Sequence, residues 1–276
     1  MWRNRIILII SATVLTVALF LLPKVVVDNE QEDINTTSGN EHSDEESNVP
    51  EFDHGNKSDS ATSLLISEAR DLFRNSENIE KSLTFADSLA LLYEKSGKYD
   101  SAAYFYGWIA DKSPNVEREI RAGIAYYEAF GYAVDDGKAK FLGEKTRLYL
   151  GKVLEDHPEM VHLKTKIGMT YISTNNPMQG IMMLREVVAS DPTNEEALFN
   201  LGLLSRQSGQ NDKAIERFAT LLEAHPENIQ ARFLLGLTYM DIGKNKEAIE
   251  QFEIVKKKGN DPAITATVDG YLEEIK

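Results

Sequence analysis

A 34-residue period constrains this chain more than any other feature. Blocks starting at Leu83, Val161, Glu195 and Ile229 carry Ala90, Gly168, Gly202 and Gly236 at their eighth positions. Their twentieth positions are Ala102, Gly180, Ala214 and Ala248, and their twenty-fourth are Tyr106, Leu184, Phe218 and Phe252. Pro114, Pro192 and Pro226 stand at position 32, and the last block shifts its proline to Pro262. Small residues at positions 8 and 20 let two helices approach closely. The large residue at 24 fills the gap between them, and proline ends the second helix. Such a unit contacts mainly its neighbours, so the period predicts an all-α solenoid of stacked helix pairs.

The clearest block, EEALFNLGLLSRQSGQNDKAIERFATLLEAHPEN, carries Leu198, Leu201, Gly202, Gly209, Ala214, Phe218 and Pro226. It resembles the tetratricopeptide repeat family. The resemblance implies two antiparallel helices per repeat, stacked into a right-handed superhelix. It divides 61–276 into about five pairs (83–116, 117–160 with an insertion, 161–194, 195–228 and 229–262), with capping helices near 61–75 and at 263–276. The chain departs from the family at position 4, where Lys164 and Arg232 replace large apolar residues, and at Gly180, a poorer helix former than alanine. The second pair is about ten residues too long. Its excess, around 131–137, is expected to form a longer loop before a helix over about 138–156.

Ahead of the repeats, Ile6 to Leu22 contain no charge, and Ser11, Thr13 and Thr16 are their only polar side chains. A helix here would span roughly 26 Å at about 1.5 Å per residue, near the thickness of a bilayer's hydrocarbon core. Arg3 and Arg5 precede the span and acids follow it, so the positive-inside bias keeps the N-terminus in the cytoplasm. Residues 1–27 are therefore expected to form a single-pass transmembrane anchor in a bacterial inner membrane, with the repeats periplasmic. A cleaved signal peptide and an inverted anchor compete with this reading. The first lacks a small-x-small cleavage site, and the second opposes the charge bias. Residues 28–60 carry eleven acids against Lys57 alone, and such a segment is expected to be a disordered, self-repelling spacer.

The formal charge of −14 argues against nucleic-acid binding, which needs a basic face. The absence of cysteine excludes disulfides, thiolate metal sites and a cysteine nucleophile. Of the five histidines, His157 and His162 straddle a turn without the one-face spacing of a metal site. No phosphate loop, nucleophile elbow or dinucleotide fingerprint occurs. The expectation is a binding protein, with no catalytic residues, metal or cofactor.

In the family this sequence resembles, positions 5, 9 and 12 of each first helix face the inner, concave surface. Here they form an apolar trough: Ile124 and Tyr127, then Met169 and Ile172, then Phe199, Leu203 and Arg206, then Phe233, Leu237 and Met240. The Lys, Asn and Arg residues with which some members clamp a carboxylate are missing. A trough this apolar implies either a protein partner, as a peptide or helix lying in the groove, or coverage by the chain's own terminal helix. The function expected is a membrane-anchored scaffold or adaptor, similar to anchored repeat proteins of envelope assembly, cytochrome c maturation or translocon-associated chaperoning. The alternative is a homodimer joined through the same trough.

Overall fold

The computed structural model describes residues 60–174, 176–259 and 262–275. The chain divides into two units, Met1–Val49 and Pro50–Lys276, and every described residue belongs to the second. The expected anchor and nearly all of the expected spacer lie outside the described residues. Among the described residues no helix is long and apolar enough to cross a membrane.

Twelve helices and no strand occur among the described residues. They are α1 (Ser60–Arg74), α2 (Ile79–Lys95), α3 (Tyr99–Lys112), α4 (Val116–Gly131), α5 (Asp136–Asp156) and α6 (Leu163–Ile172), followed by α7 (Pro177–Ser190), α8 (Glu195–Gln207), α9 (Asn211–Ala224), α10 (Ile229–Asp241), α11 (Asn245–Lys258) and α12 (Pro262–Ile275). Each packs mainly on its predecessor and successor, and the first helices of adjacent pairs also touch, α4 on α6 and α8 on α10. This is an all-helical, tetratricopeptide-like solenoid.

Local chemistry sets the helix ends. Asn78, Asn115, Asn194 and Asn228 stand before the first helices α2, α4, α8 and α10, and each side-chain oxygen accepts from a backbone N–H of the first turn. That satisfies one of the donors a helix start leaves open. Between the paired helices the chain turns through Gly97, Gly209 and Gly243, whose φ values of 71°, 71° and 73° strain any residue with a Cβ. Pro177 opens α7 at a position where its missing N–H costs nothing.

Position 8 meets position 24 within each pair, as the period requires. Phe218 and Phe252 are fully buried against Gly202 and Gly236. Burial of rings this size contributes about 1.5–3 kcal/mol each. In the third pair both crossing residues are glycine. A Cβ on Gly180 would lie 2.2 Å from the Gly168 carbonyl oxygen and 2.6 Å from Ile172. Gly180 thus trades helix propensity for a closer crossing than alanine permits.

The second pair corrects the expectation drawn from its length. Only Tyr132 to Asp135 separate α4 from α5, and the excess extends the helix: α5 has 21 residues where α3, α7, α9 and α11 have 14. Asp135, which with its neighbours suggested a loop, caps α5 by accepting from the Lys138 N–H at 2.8 Å. The added turn is also held from outside, where Lys138 pairs with the buried Asp100 at the start of α3.

Candidate protein-binding face

The ten trough residues fall on α4, α6, α8 and α10, the first helices of four successive pairs. All are half-buried except Leu237, which is 9% exposed. The structure divides them by what covers them.

Leu237 and Met240 pack into a cluster with Val268 and Leu272 of α12. Leu237 is thereby withdrawn from the open trough. Arg206 is tied to Asp241 at 2.9 Å, a bridge between adjacent pairs. Tyr127 lies under the Lys166 ammonium at 5.3 Å, and Lys166 in turn donates to both carboxylate oxygens of Glu196 at 3.0 Å. Burial pushes the Tyr127 hydroxyl up to about 12. Ile172 lies against the α6–α7 crossing at Gly180.

Phe199 and Phe233 are brought together. They line a cleft of about 550 Å³ with Ile229, Leu234, Ile264 and the rim residues Gln230 and Thr267. Phe199 is braced edge-on by Phe218, at 6.2 Å between ring centres. Phe233 is braced by Phe252 at 6.0 Å and Tyr271 at 6.1 Å. Both rings are therefore held in place before anything binds. The walls are almost wholly carbon, which suits an apolar guest and offers no group for chemistry.

The sequence reading missed Ile229, Gln230, Leu234, Ile264 and Thr267. Ile229, Gln230 and Leu234 sit at positions 1, 2 and 6 of the last block, away from the positions the resemblance marks as inner-facing. Ile264 and Thr267 belong to the terminal helix, which has no place in a 34-residue template.

A second cleft, of about 500 Å³, opens between α2, α3 and α4 and is charged rather than apolar. Arg121 lies 4.3 Å from the centre of the Tyr106 ring, pairs with Asp87 at 2.7 Å and donates to the Tyr106 hydroxyl at 3.1 Å. That hydroxyl donates to Glu94 at 2.9 Å. Burial, then the Glu94 hydrogen bond, pushes Tyr106 up to about 12. The arginine's charge and its donors are engaged within the protein, so this cleft is a structural joint rather than a clamp. Among the described residues no three His, Asp or Glu side chains gather where they could hold a metal ion.

Residues 199–262, which include the cleft's Phe199, Ile229 and Phe233, match the family model described as tetratricopeptide repeat. No curated protein matches the chain. Among solved structures, a tetratricopeptide repeat protein from Parabacteroides merdae ATCC 43184 is similar, with a TM-score of 0.54 and 16% identity over 78% of this chain and 86% of its own. Crystal structures of MamA are also similar. One has a TM-score of 0.49 and 22% identity, covering 67% of this chain and 96% of that one. At these identities the likeness is one of fold.

Proposed function

We propose that this chain is a protein-interaction scaffold, and that the cleft between α8, α10 and α12 takes an apolar segment of a protein partner. The observation that carries the reading is the cleft itself. Two braced aromatic rings and three aliphatic side chains line a space open to water, at an energetic cost unless something fills it. A helix laying an apolar stripe into such a groove is a recurrent recognition mode. The residues engaged would be Phe199 and Phe233 with Ile229, Leu234 and Ile264. Leu203 of α8, with Met169 and Ile124 on the earlier helices, would extend the same row.

The uncharged run from Ile6 to Leu22, with Arg3 and Arg5 before it, supports the further reading that the scaffold is held at a bacterial inner membrane with its repeats periplasmic. Reactivity of a cysteine placed at an exposed site such as Glu273 towards a membrane-impermeant reagent in intact spheroplasts tests the topology. Labelling supports it, and labelling only after lysis overturns it.

The binding reading is tested by placing the photo-reactive amino acid p-benzoylphenylalanine at Thr267, on the cleft rim, in the full-length protein expressed in cells. Light should yield a defined adduct with a protein, and the same probe at exposed Glu273 should not. If no protein is captured at Thr267, the cleft is not a binding site.

A further inference from the structure

The cleft has a counterpart at the other end of the same array. Helix α1 buries Ile66 and sets Phe73 edge-on against Trp108 at 4.9 Å and Phe105 at 5.4 Å, while Arg70 reaches the Tyr93 hydroxyl. Those contacts fix which way the helix faces. They leave Leu64, Leu65 and Leu72 pointing outward, 61%, 51% and 52% exposed. Leu65 and Leu72 are seven residues apart, so they lie along one line of the helix with Leu64 beside it.

Solenoids need terminal repeats with a polar outer face, because an unfinished end exposes the surface meant for the next repeat. Helix α12 meets that need: its exposed residues are Ala266, Thr267, Gly270, Glu273 and Glu274. Helix α1 does not, and its leucines are left at an end that has no further described repeat to cover them.

We propose that the cleft between α8, α10 and α12 receives the Leu65–Leu72 stripe of α1 from a second copy of this chain, joining copies head to tail. This rests on the cleft being a protein-binding site, as proposed above, and names its occupant. The two surfaces match in kind, since a helix with anchors two turns apart is what a short apolar groove accommodates. They cannot satisfy each other within one molecule. Contacts run from each helix to its neighbours along the array, so α1 and the α8–α12 region lie at opposite ends. Among the described residues, each molecule therefore carries one unfilled groove and one uncovered stripe. A contact between different surfaces leaves a free groove at one end and a free stripe at the other, so it builds open chains rather than closed dimers. Three leucines against one cleft make a small interface, below the standard size of a stable complex, so assembly should be weak and concentration-dependent.

The test uses the full-length chain in mild detergent, followed by sedimentation velocity from low to high micromolar concentration. Two double variants are compared, Leu65→Glu with Leu72→Glu on the stripe, and Gln230→Arg with Thr267→Arg on the cleft rim. All four positions are exposed, and circular dichroism melting checks that both variants stay folded. The wild type should grow past the dimer as concentration rises, and each variant alone should remain monomeric. An equimolar mixture of the two should form a one-to-one heterodimer, because each retains the end the other has lost. A wild type that stays monomeric, or variants that do not rescue each other, overturns the head-to-tail contact. If the Thr267 photo-probe then still captures a different protein, the cleft remains a binding site with another occupant. If it captures none, the binding reading fails as well.

Discussion

Helices α1 and α12 close the two ends of one array, and each is an amphipathic helix laid on the pair beside it. Helix α12 drives Val268 and Leu272 fully into the last pair and turns threonine and glutamates outward. Helix α1 drives in Ile66 and Phe73 and turns three leucines outward. The difference is not one of helix-forming tendency, because both helices form. It lies in what the outer face is prepared to meet, water at one end and an apolar surface at the other. Among the described residues, the apolar surface left at the C-terminal end is that of the cleft beside α12. The ends thus differ in a way that suits continuation of the array by another molecule.

The comparison breaks most readily through its largest expected effect. Leu272→Ala should cost about 2–5 kcal/mol in urea unfolding, since it empties a buried site that docks α12, while Leu65→Ala should change stability by no more than about 0.5 kcal/mol. Equal losses at the two positions would mean that α1 is docked through its leucines, and the contrast would disappear. Gly180→Ala comes next. Helix propensity alone predicts a gain of roughly 1 kcal/mol, whereas the clash with the Gly168 carbonyl predicts a loss of about 1–3 kcal/mol. The sign of the change in melting temperature decides between propensity and packing.

Alkali should distinguish the halves of the array. In the first half, burial pushes Tyr106 and Tyr127 up to about 12, and it raises Tyr126 and Tyr149 as well. The last two pairs hold a single tyrosine, Tyr239, which burial also raises. Tyr106 and Tyr127 keep protons that an unfolded tyrosine surrenders near 10, so the stability they contribute is complete below about pH 10 and is lost as the pH rises through 12. Hydrogen exchange in that window should show α3 to α5 loosening before α9 to α11, and uniform loosening would contradict the assignment. The smallest effect tests the polar cap. A Cβ on Gly270 meets nothing within 4 Å, so Gly270→Ala should stabilise α12 by about 0.5–1 kcal/mol and raise the melting temperature slightly.

Much of the fold was legible because its determinants are local and repeat. The small residues at positions 8 and 20 and the large one at 24 each act within one pair, and a 34-residue window contains them. The second pair resisted the same reading because its excess is ambiguous locally. The run of Gly131, Tyr132, Ala133, Val134, Asp135, Asp136 and Gly137 suits a loop. What makes it a helix start is the Asp135 cap combined with the pairing of Lys138 to Asp100, 38 positions earlier in the chain.

The candidate site was legible only in part, for the same reason. Position 5 singled out Phe199 and Phe233, and the cleft contains both. Positions 9 and 12 also gave Leu237, which is buried, and Met240, which packs on the same cluster, and none of these positions includes Ile264 and Thr267, which the last helix supplies.

The sequence by itself determined that the chain folds as stacked helix pairs and which small and large residues hold most of them together, because those interactions join residues a few turns apart. Only the tertiary structure decided which apolar residues remain open to water. Exposure depends on what the next helix along the array covers, and no single repeat contains that information.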